Sequence, residues 1–303
     1  MVKNWMIRSM KAGFLAVFMV LLSGCQGVAL LDPKGPVGQG TMNLMVITVV
    51  LGLIVIIPVI VMTIWFAIRY RETNTKATYK PHWEGSLKIE AVIWLVPVAI
   101  IVVLSYFTWI STIELDPYKP LPSKEQPLRV QVVSTDWNWL FIYPDYEAAS
   151  LNKLVIPTGV PVIFDMTSAS VMTSFFIPDL GSQMYVMAGM VSHLNLMSSH
   201  DGTYTGRNME YSGEGYNSMN FPTKSVSAEQ FQAWLQEAKA SPKALSVAEF
   251  DLLSKPQKDL PDTAFSKVEP KLFDQIVARF MKDHGSGNSN SAEAPTEPMT
   301  MSH

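Results

Sequence analysis

Two apolar runs, Met42 to Ile68 and Ile89 to Ile113, constrain what this chain can fold into more than any other feature. The first carries no charged side chain and the second carries only Glu90. A bilayer's hydrocarbon core is about 30 Å thick and about 20 helical residues cross it, which both runs satisfy. Backbone groups in lipid must bond within their own segment, and a helix does this. The runs therefore read as transmembrane helices over 42–68 and 89–113. Pro58 and Pro97 fall inside them, where proline is tolerated and bends the helix.

Between the runs, the segment 69–88 holds Arg69, Arg71, Lys76, Lys80 and Lys88 against Glu72 and Glu84. A short basic loop stays in the cytoplasm, so the chain before Met42 and everything after Ile113 lie outside. Trp65, Tyr70, Trp83, Tyr106 and Trp109 fall near the helix ends, where amphipathic rings gather. Glu90 stands near the inner end of the second run. An acid there either borders a proton-uptake route or is an interfacial carboxylate that reaches water. Trp83, Lys88 and Trp94 suit ordinary contacts with lipid head groups and chains.

The chain begins with Lys3, Arg8 and Lys11, then a short apolar core from Ala12 to Leu22, then Ser23-Gly24-Cys25. This pattern resembles a bacterial lipoprotein signal: 1–24 is removed as a signal peptide and Cys25 receives diacylglycerol, with an acyl chain such as palmitate on the new amino terminus. The bland alternative is a solitary thiol at a helix end. Residues 25–41 form an external linker with Pro33, Gly35, Pro36, Gly38 and Gly40. Cys25 is the only cysteine, so no disulfide forms within the chain. A net charge of -3 offers no basic surface for nucleic acid. The location that follows is a bacterial inner membrane, crossed twice, with both ends outside.

After a proline-rich linker, 114–127, come short β-branched runs: Leu128 to Ser134, Trp137 to Ile142, Leu154 to Ile156, Val160 to Met166, Phe175 to Ile177 and Met184 to Met187. Their lengths and their Pro, Gly, Asp and Asn punctuation predict an antiparallel β-sandwich or barrel over 128–224. Alternation in Arg129-Val130-Gln131-Val132 predicts one solvated face. A helical region follows over 225–283, with a capping box at Ser227 and Gln230, Phe231, Trp234, Leu235 and Ala238 at helical spacing, and shorter helices at Val247 to Leu253 and Pro270 to Met281. The composition of 284–303 predicts a disordered tail.

This plan is similar to subunit II of the haem-copper terminal oxidases. The motifs that carry the resemblance are Asp136-Trp137-Asn138-Trp139, the stretch from Val171 to Gly181, and Tyr211-Ser212-Gly213-Glu214-Gly215-Tyr216-Asn217-Ser218-Met219. It implies a two-helix hairpin bearing an all-β cupredoxin-like domain and a C-terminal helical extension. Members that oxidise cytochrome c carry a binuclear copper centre, held by one histidine in one loop and Cys-x-Glu-x-Cys-x-x-x-His-x-x-Met in another. Two bridging thiolates with imidazoles and a thioether suit a soft copper electron carrier. With Met219 setting the register, Glu210 matches the glutamate, while Asn208 and Ser212 stand at the thiolates, Tyr216 at one imidazole and Thr173 at the other. Glu210 and Met219 alone cannot hold two coppers. His193 and His200 have no cysteine neighbours, and His82, His284 and His303 lie in the loop and tail.

Such vacant positions resemble the quinol-oxidising branch, closest to the bo-type ubiquinol oxidases, whose donor reaches the catalytic subunit through the membrane. The resemblance implies a non-catalytic subunit of a proton-pumping complex that moves electrons from ubiquinol to oxygen. No cofactor is expected in this chain; haem b, an o-type haem and copper are expected in catalytic subunit I, and ubiquinone or phospholipid at the membrane interface. Partners implied are subunit I, the smaller subunits III and IV and membrane lipids, without cytochrome c. The alternatives are a copper-bearing cytochrome c oxidase subunit II and an independent membrane-anchored binding lipoprotein.

Overall fold

A computed structural model describes residues 28–286 apart from positions 76, 79–81 and 83. The signal segment, the lipidation candidate Cys25 and the tail beyond Ser286 lie outside the described residues, as do Lys76, Lys80 and Trp83 of the basic loop.

Helix α1 spans Pro36–Arg69 and α2 spans Leu87–Glu114. Helix α1 starts ahead of the apolar run. Pro36 takes its first position, where a missing N–H costs nothing and the fixed φ suits a helix. The first turn is also clipped to the outside domain. Lys34 N–H donates to the Asp179 carbonyl at 2.6 Å, Gly38 N–H to that of Leu180 at 3.0 Å, and Ser199 N–H to that of Lys34 at 2.7 Å. Glycine makes this approach possible: a Cβ on Gly35 would lie 2.2 Å from the Met197 carbonyl oxygen. The two helices meet at their outer ends, where a Cβ on Gly40 would lie 2.6 Å from Leu115 Cδ2.

The strands are β1 (Leu128–Ser134), β2 (Trp139–Tyr143), β3 (Ala148–Leu151), β4 (Leu154–Pro157), β5 (Val162–Ser168), β6 (Thr173–Phe176), β7 (Met184–Val186), β8 (Ser192–Leu196), β9 (Gly202–Asn208) and β10 (Asn220–Val226). Then come α3 (Ala228–Lys239), α4 (Val247–Leu253), β11 (Thr263–Phe265) and α5 (Leu272–Ser286). One sheet runs β11-β3-β2-β1-β5-β8 and the other β4-β10-β9-β6-β7.

Not every pairing is antiparallel: β1 lies parallel to β5, and β4 parallel to β10. After β3 the chain crosses to the second sheet as β4 and returns as β5, so a parallel neighbour arises without a crossover helix within one sheet.

Between the sheets, Trp139, Phe141, Phe164, Phe175 and Phe221 form a ring-packed core. Tyr143 ends it, giving its hydroxyl proton to the Val155 carbonyl at 2.9 Å and accepting from Val155 N–H at 3.0 Å; burial pushes its pKa upward. The one-sided solvation predicted for β1 holds only at its start. Val133, Leu140, Ile142, Ala149 and Leu151 bury the opposite face of the first sheet against Phe250, Phe265, Leu272, Phe273, Ile276 and Val277. The helical extension thus builds a second core and adds β11 to the sheet edge.

Candidate functional site

The loops that carry the resemblance meet at one pole of the sandwich, where β6 begins and β9 ends. Asn208, 5% exposed, organises it. Its Oδ1 accepts from Ser174 N–H at 2.8 Å and Glu210 N–H at 3.0 Å, while its Nδ2 donates to Ser212 Oγ at 3.1 Å and Met219 Sδ at 3.3 Å. Ser212 Oγ donates to the same sulfur at 3.1 Å. The Met219 thioether, fully buried, therefore receives two hydrogen bonds, and its carbonyl accepts from Asn208 N–H and from Trp139 Nε1.

Of the six positions matched to copper ligands, the structure brings Asn208, Ser212 and Met219 into direct contact and ties Glu210 to them through its backbone. Thr173 is buried beside Ser174, and neither hydroxyl finds a hydrogen-bond partner among the described residues. Tyr216 sits at the rim, its ring 5.9 Å from that of Tyr211. The centre is an amide, a hydroxyl and a thioether, all neutral. The Ser212 proton is directed at a thioether, too weak a base to activate a nucleophile. Among the described residues, no group of three or more His, Cys, Asp or Glu converges on one point. His193 instead bonds Asp165 through Nδ1 at 2.7 Å on the far sheet.

Trp137 covers the pole in a left-handed conformation, φ 71°, uncommon for a bulky residue. Its Nε1 donates to the Ser212 carbonyl at 2.9 Å, and its ring lies on Gly215, where a Cβ would be 2.2 Å from Cδ2. Lys258 stands over the ring at 5.6 Å and bonds Glu214 at 2.6 Å, holding that carboxyl below the usual carboxylate range. Asn138 Nδ2 donates to the Gln257 carbonyl at 2.8 Å, so the C-terminal extension closes over the same loops. The Asp-Trp-Asn-Trp motif marks this pole in the sequence. Lys258, far along the chain and in a polar stretch, gives no such signal.

The family described as "Cytochrome C oxidase subunit II, periplasmic domain" matches residues 148–226, and "COX Aromatic Rich Motif" matches 239–284. "Cytochrome bo(3) ubiquinol oxidase subunit 2" of Pseudomonas aeruginosa is 47% identical over 266 residues, 88% of this chain and 80% of that protein. Its namesake in Pseudomonas putida is 48% identical over 262 residues, 86% and 83% of the two chains. "Ubiquinol oxidase subunit 2" of Acetobacter aceti is 46% identical over 263 residues, 86% and 85%. The chain belongs to the ubiquinol oxidase subunit 2 family. Within this family α1 and α2 are the membrane hairpin and the sandwich is the cupredoxin-like domain outside the inner membrane. The aromatic-rich match coincides with the second core, since it contains Phe250, Phe265 and Phe273.

Proposed function

We propose that this chain is the non-catalytic subunit II of a proton-pumping oxidase that takes electrons from ubiquinol and reduces oxygen to water, and that it holds no copper centre of its own. One observation carries the second half: the Met219 sulfur is occupied by hydrogen bonds from Asn208 and Ser212, two side chains standing where thiolates are needed. Membership in the ubiquinol oxidase subunit 2 family carries the first.

On this reading haem b, an o-type haem and copper belong to subunit I. The hairpin packs against that subunit, subunits III and IV complete the complex, and ubiquinone or phospholipid fills the membrane interface. Glu90 opens α2 beside Gly85, where a Cβ would be 2.8 Å from Glu90 Oε1, which suits an interfacial carboxylate. Cys25 is acylated after removal of 1–24. Two spanning helices already hold the protein, so acylation is an added tether.

The test is mild-detergent copurification joined to oxidation assays. Haem-bearing partners should accompany the chain, and the complex should consume oxygen with ubiquinol and not with reduced cytochrome c. Isolation without a haem-bearing partner, or a stoichiometric binuclear copper signal in this chain, overturns the reading.

A further inference from the structure

Beside the pole just described, a cavity of about 620 Å³ is lined by Ser170, Met172, Met187, Ala188, Gly189, Met190 and Met281. We propose that its four methionines form a binding site for a soft monovalent cation of the Cu(I) class. This inference stands independently of the quinol oxidase reading.

Three separate segments build the cavity, and backbone contacts fix them. The Ser168–Ala188 bridge and the Ser168 N–H bond to the Met187 carbonyl at 3.3 Å join the segment leading to Met172 to the loop after β7. Ser168 Oγ donates to the Val171 carbonyl at 2.7 Å, shaping the turn that presents Met172. Gly189, at φ +73°, lies so close to α5 that a Cβ would meet Phe280 C at 3.1 Å and Met281 N at 3.2 Å. Met281 is thereby set beside the Met187–Met190 loop.

Methionine is ordinarily core filler, and Met166 is fully buried in that role. These methionines differ: Met172, Met190 and Met281 are 42%, 54% and 56% exposed. A small-molecule pocket is lined mostly by mixed aliphatic and aromatic side chains. Among the described residues every bulky lining side chain is a thioether, and the remainder are Ala, Gly and a serine whose hydroxyl is bonded to Asp136.

A thioether is a neutral, soft donor. Among the described residues no carboxylate, imidazole or thiolate lines the cavity, so hard or borderline dications find no matching ligand there, while a d¹⁰ monovalent ion does. Methionine's unbranched, freely rotating arm lets an open cavity close around a small ion.

Ag(I), which binds like Cu(I) without redox chemistry, is titrated into the detergent-solubilised full chain carrying Cys25→Ser, so that the sulfur at position 25, free or acylated, does not compete. The expected result is one saturable site whose affinity is flat between about pH 5 and 7.5, because thioethers hold no proton there, whereas a histidine site would weaken. Met172→Leu/Met190→Leu/Met281→Leu conserves volume and should keep the parent's unfolding midpoint while losing the site. Met190→Leu alone, at an exposed loop position, should weaken binding at least about tenfold. A chain ending at Ser286, without the soft donors Met299, Met301 and His303, should keep the site. X-ray absorption of the Cu(I)-loaded chain should show a sulfur-only first shell. No saturable site in the parent, a site that survives leucine substitution, a site lost with the tail, or nitrogen in the first shell overturns the proposal.

Discussion

Asn208 takes a position where the resemblance to copper-bearing oxidases sets a thiolate, and its carboxamide makes two acceptances and two donations there. Asn208→Ala would leave the Ser174 and Glu210 N–H groups short of an acceptor. Losing a partner for a buried donor costs about 1–3 kcal/mol, so the unfolding free energy from denaturant titration should fall by that measure. Asn208→Asp keeps the acceptor and buries a charge; its loss should be larger at neutral pH than near about pH 3, where the carboxyl is protonated. Asp179 offers the opposite test at the helix clip. Burial raises its carboxyl above the ordinary value, so ionisation is harder in the folded chain. The sign follows: stability falls as pH rises from the unfolded value through the folded one. Asp179→Asn should raise the melting temperature at neutral pH and make no difference in acid below both values.

At the scale of elements, what the sequence discloses depends on whether the signal is local. The hairpin is legible because charge is absent over long runs, and α3 because Ser227 and Gln230 sit at capping-box spacing; both reciprocal bonds form. Strands β9 and β10 escape notice. Gly202–Asn208 is largely polar, and β10 contains Pro222 and Lys224, although each strand buries alternate residues against its neighbours. The site is half legible for the same reason. Motif spacing identifies Asn208, Ser212 and Met219, but Lys258 reaches Trp137 only through tertiary folding. Helix α2 carries a further signal on its outer half. Ser105, Thr108 and Thr112 share one groove of about 600 Å³ with Ile101, Leu104, Trp109 and Ile113. Small hydroxyl residues let helices approach closely in lipid, which suits a neighbouring helix of a partner subunit. Thr108→Leu should weaken that association by about 0.6 kcal/mol, near threefold, measured as recovery of the haem-bearing partner across a detergent series. The melting of the β-domain should not change.

Taken as a whole, the molecule does not divide where the composition changes near Lys224. The extension supplies the edge strand β11, the cover over Val133, Leu140 and Ile142, and the carbonyls of Gln257 and Leu260 that satisfy Asn138 and Asn152. Each large apolar side chain buried there contributes about 1.5–3 kcal/mol before the cost of ordering the chain, a large increment beside the marginal stability of an ordinary domain. A chain ended after Val226 should therefore lose more than an appendage: it would expose the outer face of the first sheet as an apolar patch and an unpaired edge at β3, the conditions for aggregation. The expected outcome is a truncated protein found in aggregates, or one cleaved by protease inside β1–β3. Ile276→Ala gives a graded form of the same test. Ile276 is fully buried in the second core, and its truncation should cost about 2–5 kcal/mol. If the two cores fold as one unit, probes in β2 and in α5 will shift together by that amount in a single transition. Separate transitions, with β2 unmoved, would show that the extension folds on its own and only leans against the sandwich.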